Sequence, residues 1–341
     1  MIVITGGGTG GHLVIAKAIK EELVKCGINP LYVGSDRGQD KQWFENDMDF
    51  IGKYFLPSKG IVNKRGFQKL FALFQTIRLA FTCKKLFQKH RIRAVFSVGG
   101  YSAAPASFAA ILGGIPLYIH EQNAVTGKLN ALLKPFAKAF FSSYDKHAFT
   151  CHYPIREAFF NHQRVRKEFK TIIFLGGSQG ASFLNSLACQ LAPRLHEKGI
   201  KIIHQTGAKE FEAITLFYQN ASIPADVFDF SAHMPQKLYQ ADIAISRAGA
   251  STLWELCASA LPTLFIPFPY AAANHQFFNA KALVDDGLAL IELQRPLETT
   301  YILEQLERLP LQSISEKLTH SIQAGGAKII AEQLLSHTKE N

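Results

Sequence analysis

The chain has 341 residues, of which 48% are hydrophobic and 19% are charged, and it carries a formal net charge of +10 at pH 7. This length is about twice that of a typical domain, so we expect two domains, and the apolar content excludes a disordered protein. The basic balance favours an anionic partner, which could be nucleic acid, an anionic membrane surface or a phosphorylated substrate.

Short β-branched runs alternate with helical patterns along the chain, and this alternation is typical of parallel α/β sheets. Strands are predicted at 2–5, 30–34, 94–98 and 116–120 in the first half, and at 171–175, 201–205, 227–230, 242–246 and 263–267 in the second. Helices are predicted at 12–25, 66–89, 104–112, 181–197, 251–259 and 274–285. We therefore expect the α/β fold class.

A glycine-rich turn follows the first strand of each half, with the sequence GGGTGGH at 6–12 and GGSQG at 176–180. Such a turn lets backbone N–H groups approach a phosphate, and the helix N-terminus that follows adds about half a positive charge. The duplication predicts two Rossmann-like domains that face each other across a cleft, with boundaries at 1–155 and 156–326. The last helix, within 327–341, is a candidate to fold back on the first domain.

The positive charge is concentrated in one segment. No Asp or Glu occurs between Phe50 and His120, whereas eleven Lys and Arg do, among them those of a predicted helix with aromatic residues at spacings of three and four. Such a helix can lie on an anionic bilayer, or its apolar stripe can face the core. Nucleic acid is disfavoured because no RNP or finger motif is present. The candidate membrane-binding residues are Phe67, Phe71, Phe74, Lys64, Arg65, Lys69 and Arg78.

The sequence disfavours four further classes of protein. The five cysteines are scattered without a CxxC pair, which argues against a zinc ribbon and a disulfide framework. The N-terminus has no basic segment before its apolar run, and no stretch of about 20 clean apolar residues occurs. We therefore expect a cytoplasmic protein that does not span a membrane.

The first glycine-rich segment admits several interpretations. It satisfies G-x-G-x-x-G, but Asp36, the acidic residue that a nicotinamide or flavin site would need, lies in a polar loop. His12 could exchange a proton near neutral pH or could only hydrogen-bond a phosphate. Asp47 and Asp49 form a DxD pattern in a polar loop without a clustered His and Cys set, so we expect no metal.

The second half carries polar groups after two strands. The segment RAGASTLWE at 247–255 opens a helix, with Ser251 and Thr252 at its start and Glu255 one turn further on. A carboxylate there could accept both hydroxyls of a ribose, or it could simply complement the helix N-terminus. Gln276 and Asn279 follow the next strand, and amide side chains suit sugar hydroxyls, although they are also common on ordinary surfaces.

Six motifs occur in order over essentially the full length: GGGTGGH (6–12), GGY (99–101), GIPLYIHEQN (114–123), GGSQG (176–180), RAGASTLWE (247–255) and NHQFFNA (274–280). Together they resemble glycosyltransferase family 28, and within it the peptidoglycan enzymes that convert lipid I to lipid II. The resemblance implies a GT-B fold and an inverting transfer that needs no metal or cofactor. It implies UDP-N-acetylglucosamine as donor, bound mainly by the C-terminal domain.

The resemblance also implies the acceptor and its location. The acceptor would be lipid I, undecaprenyl-diphospho-MurNAc-pentapeptide, bound by the N-terminal domain at the inner face of the cytoplasmic membrane. The cell-wall synthesis and division machinery are candidate partners.

Site residues follow from the matching motifs. The resemblance implies a catalytic role for His12, our predicted general base, and places Tyr101 and Glu121 in the same site, with Glu121 as the alternative base. The implied donor-binding residues are Thr9, Gly10, Gly11, Asn123, Arg156, Ser178, Asn185, Ser231, Ala250, Ser251, Thr252, Glu255, Gln276 and Asn279. The chain departs from the family at the domain junction, where HYPIR at 152–156 replaces Asn-Pro-x-Arg, and in the loop at 58–66.

Two other functions fit part of the pattern. A UDP-N-acetylglucosamine 2-epimerase would share the fold and the donor but would not need a basic aromatic helix. A non-enzymatic sensor at a membrane surface would bind the nucleotide sugar without transferring it.

Overall fold

The computed structural model describes residues 1–58, 60, 66–145, 149–150, 152–177, 180–296 and 298–339. The chain divides into two compact units. The first comprises Met1–Ile155 together with Gly325–Asn341, and the second comprises Arg156–Ala324. Each unit contains one parallel sheet, so the predicted α/β class with two sheets is confirmed.

The first unit is built on a sheet with the strand order β3-β2-β1-β4-β5-β6-β7. Its strands are β1 (Ile2–Thr5), β2 (Leu31–Ser35), β3 (Gly52–Leu56), β4 (Ala94–Ser97), β5 (Leu117–Glu121), β6 (Ala139–Ser142) and β7 (Phe149–Thr150). Its helices are α1 (Gly10–Lys25), α2 (Asp40–Phe44), α3 (Gly66–Lys89), α4 (Ala104–Leu112) and α5 (Lys128–Leu133). In the register, Val3 of β1 pairs with Leu31 of β2 and with Val95 of β4.

The second unit is built on a sheet with the order β10-β9-β8-β11-β12-β13. Its strands are β8 (Thr171–Leu175), β9 (Lys201–Gln205), β10 (Ala225–Phe228), β11 (Ile243–Ser246), β12 (Thr263–Phe265) and β13 (Leu290–Ile291). Its helices are α6 (Glu157–Asn161), α7 (Ser182–Glu197), α8 (Phe211–Asn220), α9 (Met234–Gln240), α10 (Ala250–Ala258), α11 (His275–Asp285), α12 (Thr299–Glu307) and α13 (Leu311–Ser321). Helix α14 (Gly326–Lys339) then contacts α1 in the first unit.

Both sheets have the same topological feature. The first strand of each unit, β1 or β8, lies between the second strand on one side and β4 or β11 on the other. The direction in which successive strands are added to the sheet therefore reverses at β1/β4 and at β8/β11, although all the strands run parallel. In open parallel sheets, ligands bind at the carboxyl ends of the strands at such switch points. The glycine-rich segments at 6–12 and 176–180 follow β1 and β8 directly.

One hydrophobic core cluster of the first unit lies between its sheet and the pair α3 and α4. Ala106, Ala109 and Ala110 give α4 a flat face, which packs in one cluster with Val95 and Ile119 of the sheet. Because helices cover parallel strands on both faces, the central strands are buried along their whole length.

Helix α3 has two apolar faces. Its inner face includes Ala72, Leu79, Ala80, Cys83 and Phe87, all of them buried. The stripe that the sequence singles out lies on the other side and is exposed, so the core-facing interpretation of that stripe is wrong. Within the described residues no helix is long and apolar enough to cross a membrane.

Several elements differ from the sequence predictions. Strands β3 and β6 were not predicted, because Gly52–Leu56 is a half-buried edge strand containing a glycine and a lysine, and Ala139–Ser142 is short. Strand β10 begins and ends two residues earlier than predicted, since Phe230 is exposed beyond its end. Helices α12 and α13 follow β13 in a region for which no element was predicted.

Candidate functional site

The first switch point is formed by two glycine segments in direct backbone contact. The N–H of Gly7 donates to the carbonyl of Gly99 at 3.3 Å. Gly6 and Gly100 both have positive φ, and a Cβ on Gly6 would lie 2.4 Å from the Gly99 oxygen, while one on Gly100 would lie 2.5 Å from the Gly7 oxygen. Glycine is therefore required on both sides of this contact.

Tyr101 packs on the first glycine-rich turn. A Cβ on Gly8 would lie 2.8 Å from its ring, and its hydroxyl donates to the Arg37 carbonyl at 2.9 Å. Burial raises the pKa of Tyr101. The phenol proton of Tyr101 is therefore already hydrogen-bonded within the protein. Its ring also restricts the movement of the glycine-rich turn.

Helix α1 starts at this turn with Thr9 as its N-cap. The Thr9 hydroxyl does not cap the helix backbone but contacts Nδ1 of His12 at 2.8 Å. The imidazole is half-buried and lies in the first turn, next to the helix N-terminus. A histidine whose Nδ1 is held by a neighbour presents Nε2 in a defined orientation, as a general base requires. Gly10 and Gly11 complete this N-terminal turn.

Glu121 ends β5 and is buried. One carboxylate oxygen accepts the N–H of Asn123 at 3.0 Å, and the other accepts the N–H of Gly127 and the amide of Asn130, both at 2.9 Å. The carboxylate therefore closes the loop at 122–127 and presents the half-buried Asn123. Because both oxygens are occupied, the geometry favours His12 over Glu121 as the base.

The second switch point brings the glycine-rich segment after β8 next to the segment that opens α10. Gly249 is the N-cap of α10, so Ala250, Ser251 and Thr252 form its first turn, with Ser251 buried and Thr252 half-buried. N–H groups at the start of a helix favour a bound anion. Ser178 of the glycine-rich segment lies outside the described residues.

Glu255 lies one turn further along α10 and is half-buried. Burial raises the pKa of its carboxyl to about 7, and the positive charge of Arg156 opposes that shift. Within the described part of the chain no donor is hydrogen-bonded to this carboxylate, so hydroxyl groups of a ligand would supply bonds that the fold does not. Arg156 itself precedes α6 and lies over the ring of Phe159 at 5.4 Å.

Two predicted donor-binding amides are buried and engaged inside the second unit. Asn185 donates to the Thr206 carbonyl at 3.1 Å and to the Glu210 carboxylate at 2.8 Å, and its oxygen contacts His204 at 3.1 Å. Asn279 donates to the Ala248 carbonyl at 3.2 Å and so supports the start of α10 from behind. These positions indicate a supporting role, since the side chains lie below the surface.

Gln276 and Ser231 are half-buried rather than enclosed. The side-chain oxygen of Gln276 accepts the N–H of Phe268 at 2.9 Å, and the Ser231 hydroxyl accepts the N–H of His233 at 3.1 Å. Each oxygen thus shapes a loop that follows a strand. The amide nitrogen of Gln276 belongs to the same half-buried side chain and can donate to a sugar hydroxyl.

Arg247 was quoted within a motif, but no role was predicted for it. Its guanidinium donates to the carbonyls of Ile266 and Pro267 at 2.9 and 3.1 Å and to the Gln294 side chain at 2.7 Å. Burial lowers its pKa to about 10. Arg247 therefore ties the end of β12 to the start of α10. The sequence feature that could have identified Arg247 is its position directly after the strand β11.

The remaining predicted residues concern the membrane and the DxD pattern. Phe67, Phe71 and Phe74 are 81%, 58% and 66% exposed, and Arg78 is exposed beside them. Lys64 and Arg65 lie outside the described residues, as does the side chain of Lys69. Among the residues that the structure describes, no group of three or more His, Cys, Asp or Glu could hold a metal ion.

Asp47 and Asp49 have a structural partner. The buried Lys20 of α1 lies 2.9 Å from the Asp47 carboxylate and 2.6 Å from that of Asp49. This group neutralises a buried cation and joins α1 to the loop after α2. The DxD pattern is thus accounted for by an ion pair within the fold.

Comparison with known families gives two matches that together span most of the chain. Residues 2–142 match the glycosyltransferase family 28 N-terminal domain, and residues 171–334 match the glycosyltransferase family 28 C-terminal domain. The first match covers the glycine-rich segment that precedes α1, and the second covers the segment that opens α10.

Similar proteins extend over nearly the whole length. The chain is 55% identical over 335 residues to a protein of Campylobacter fetus and 52% identical over 334 residues to one of Campylobacter jejuni, covering 98% of this chain in both cases and 99% and 97% of those proteins. Both are named UDP-N-acetylglucosamine–N-acetylmuramyl-(pentapeptide) pyrophosphoryl-undecaprenol N-acetylglucosamine transferase. The crystal structure of Acinetobacter baumannii MurG superimposes with a TM-score of 0.80 at 28% identity, covering 98% of this chain and 99% of that one.

Proposed function

The chain belongs to glycosyltransferase family 28, and from that membership we propose that it transfers N-acetylglucosamine from UDP-N-acetylglucosamine to lipid I, giving lipid II for peptidoglycan synthesis. The observation that carries this proposal is the identity of at least 52% to transferases named for that reaction, over 98% of the chain. It is a hexosyltransferase. The epimerase alternative is not favoured, because the relatives are named as transferases.

The donor is assigned to the second unit. The first turn of α10, with Ala250, Ser251 and Thr252, offers backbone N–H groups to the diphosphate of UDP, and Ser178 and Arg156 add further contacts. Glu255 accepts the ribose hydroxyls, because its ionised carboxylate has no donor within the described part of the chain. Gln276 contacts the sugar, whereas Asn185 and Asn279 hold the surrounding backbone from within.

The acceptor is assigned to the first unit, with His12 as general base. The 4-hydroxyl of the muramoyl sugar attacks the anomeric carbon on the face opposite UDP, so the configuration inverts. His12 takes the hydroxyl proton as the new C–O bond forms, and the bond to the UDP oxygen breaks with its electron pair leaving on the diphosphate. Backbone donors at helix N-termini stabilise the charge that develops there. Thr9 and Tyr101 orient His12 and its turn.

The acceptor lipid is assigned to a membrane surface that α3 contacts. Its exposed stripe of Phe67, Phe71 and Phe74 belongs to a segment rich in Lys and Arg, and such a surface matches the apolar and anionic layers of a bilayer. We assign the protein to the cytoplasmic face of the inner membrane as a peripheral enzyme, with the cell-wall synthesis and division machinery as candidate partners.

The test uses purified full-length protein, UDP-N-acetylglucosamine labelled in the sugar, and a soluble lipid I analogue. Labelled lipid product with a β linkage is the expected result. Omitting the acceptor separates the alternatives, since an epimerase would change the sugar without it and a sensor would bind UDP-N-acetylglucosamine without turnover. Binding of the donor with no labelled lipid product would overturn the proposal.

A further inference from the structure

In each unit, a carboxylate that follows the second strand accepts a hydrogen bond from the segment that leads from the first strand into the helix after it. In the first unit this residue is Asp40, the first residue of α2, and it is fully buried. It accepts the N–H of Gly8 in the first glycine-rich turn, the N–H of Ser35 at 2.9 Å and the hydroxyl of Tyr32 at 3.1 Å. Asp40 therefore binds the turn that precedes α1 with a charged acceptor.

In the second unit the corresponding residue is Glu210, which immediately precedes α8. One of its oxygens accepts the hydroxyl of Ser182, the first residue of α7, and the other accepts the amide of Asn185 at 2.8 Å. These bonds lower the pKa of the Glu210 carboxyl. Glu210 therefore binds the first turn of α7, the helix that follows the second glycine-rich segment.

The two carboxylates occupy equivalent places in the topology. Asp40 follows β2 and acts on the β1–α1 connection, while Glu210 follows β9 and acts on the start of α7 after β8. In dinucleotide-binding sheets an acidic residue near the end of the second strand binds a ribose hydroxyl. Here both carboxylates already accept hydrogen bonds from groups of the protein. In this chain the same position therefore stabilises the segments after β1 and β8 to which phosphate binding is assigned.

We propose that Asp40 and Glu210 are positioning residues for the transfer reaction, one in each substrate-binding unit. Asp40 fixes the turn that carries Thr9 and His12, and Glu210 fixes the first turn of α7, the helix that follows the second glycine-rich segment. This inference rests on the proposed function, because it assigns the acceptor chemistry to the first unit and the donor to the second.

Glycine content explains why such positioning is needed. The turn at Gly6–Gly8 has positive φ at all three residues, and glycine backbone is the most easily deformed in a protein. Three hydrogen bonds hold it: Tyr32 to the Gly6 carbonyl at 2.9 Å, Gly7 to Gly99 at 3.3 Å, and Gly8 to Asp40. The bond to Asp40 has a carboxyl acceptor, whereas the other two have backbone carbonyl acceptors, so it is the contact that a D40N substitution removes most selectively.

The experiment compares D40N and E210Q with wild type in the same full-length protein. In D40N the amide nitrogen opposes one of the donors around it, so the turn shifts, and we expect kcat to fall about 10- to 100-fold while the Kd for UDP stays within about twofold. In E210Q we expect the reverse pattern, with the Kd for UDP and the KM for the donor raised about tenfold and the KM for the acceptor unchanged.

The matched control is D47N, the same substitution in the same unit. It weakens the ion pair of Lys20 and should lower the melting temperature, but kcat and both KM values should stay at wild-type values. If Asp40 and Glu210 only stabilised the fold, D40N and E210Q would either behave like D47N or change kcat, both KM values and the Kd for UDP together. If D40N does not fold, Y32F removes the hydroxyl whose one proton lies between the Asp40 carboxylate and the Gly6 carbonyl, and it should still lower kcat at an unchanged Kd for UDP.

Unchanged kcat in both D40N and Y32F, or equal effects of D40N and E210Q on UDP binding, would overturn the inference. A wild-type protein that makes no labelled lipid would instead overturn the proposed function. The Kd of E210Q for UDP would still report on Glu210 in that case, so the two failures are distinguishable.

Discussion

Arg156 supplies the positive charge that opposes the burial of the Glu255 carboxyl, whose pKa is raised to about 7. Both residues belong to the second unit, one at the start of α6 and the other in α10. An ionised carboxylate in this environment costs stability unless a ligand provides donors. Ribose hydroxyls would provide them, so donor binding and the charge on Glu255 are coupled.

This coupling predicts opposite effects of Glu255→Gln on binding and on stability. The folded pKa of about 7 lies above the ordinary value of 4.5, so the cost of ionisation is absent below about pH 4.5 and complete above about pH 7. The glutamine variant should therefore melt at a higher temperature than wild type at pH 8, with a smaller difference at pH 5. Its affinity for UDP should be about tenfold lower at pH 8.

Calorimetric titration with UDP and thermal melts between pH 5 and pH 8 check both parts. Wild-type affinity for UDP should rise with pH through about 7, and this rise should be missing from Glu255→Gln. A wild-type UDP affinity that does not change with pH in this range would contradict the ribose assignment. Uridine, which keeps the ribose but lacks the diphosphate, should show the same pH dependence at lower affinity.

His12→Ala should reduce kcat about 10²- to 10⁴-fold, the range typical of a lost general base, while the Kd for UDP stays near wild type. The reason for this split is that His12 lies in the first unit and the donor site is assigned to the second. Steady-state kinetics with the lipid I analogue and UDP calorimetry give the two values. Full turnover in the alanine variant would exclude the role.

Thr9→Val tests the orientation of the same imidazole. It removes the hydroxyl that contacts Nδ1 of His12 and keeps the size of the side chain. We expect kcat to fall by about tenfold, less than for His12→Ala, because the base is present but less well oriented. His275→Ala is a suitable control, since His275 contacts only a backbone carbonyl through its Nδ1 in the described contacts and was assigned no role.

The parts of the site that could be predicted from sequence are those whose signal is local. Glycines and polar residues directly after a strand predicted the turn at His12 and the helix start at Glu255, since strand ends at a switch point must face a ligand. The contacts of Asp40 and Glu210 could not be predicted in this way. Their partners Gly8 and Ser182 lie about 30 residues earlier, in the segments that follow the neighbouring strands β1 and β8.

Burial in the structure also distinguishes residues of similar type for which the same role was predicted from sequence. Asn279 and Gln276 occur in one motif, yet Asn279 is buried against the Ala248 carbonyl and Gln276 is half-buried. The periodicity of the α3 stripe correctly predicted one face of a helix. Periodicity does not indicate, however, which face of a helix is covered by the rest of the protein. Only the packing of Ala72, Ala80 and Cys83 on the sheet side decides that.

Arg166→Met should destabilise the second unit by about 3 kcal/mol or more. Arg166 is fully buried, and its guanidinium donates to the carbonyls of Leu238, Ala241 and Ser259 around the ends of α9 and α10. Burial lowers its pKa to about 9, so it remains a cation at neutral pH and complements the two helix C-termini.

Chemical denaturation, with the unfolding transition of the second unit analysed separately from that of the first, measures this loss of stability. Arg308→Met makes the same change at an exposed side chain, directly after the end of α12, and should alter the free energy of unfolding by less than about 0.5 kcal/mol. Equal effects of the two variants would contradict the role assigned to Arg166. Because the donor site is assigned to the other end of α10, UDP should partly restore the stability of Arg166→Met.

The triple variant Phe67→Ser, Phe71→Ser and Phe74→Ser should lose binding to vesicles that contain anionic lipid. Each exposed aromatic side chain that enters the bilayer interface contributes about 1.5–3 kcal/mol, so we expect affinity to fall at least 100-fold. Flotation or sedimentation with phosphatidylglycerol vesicles measures it. Phe136→Ser, at another exposed phenylalanine of the first unit, should bind as wild type does.

The salt dependence of vesicle binding distinguishes its electrostatic component from its apolar component. Raising the ionic strength from 0.05 to 0.5 M shortens the Debye length and should weaken wild-type binding, since the proposal places exposed cations of α3 such as Arg78 next to the anionic lipid. The triple variant should retain turnover of a soluble lipid I analogue and lose it only for lipid I in vesicles, because the proposal assigns the α3 stripe to the bilayer and not to the reacting sugars. Loss of turnover with both substrates would show that the stripe supports the catalytic unit instead.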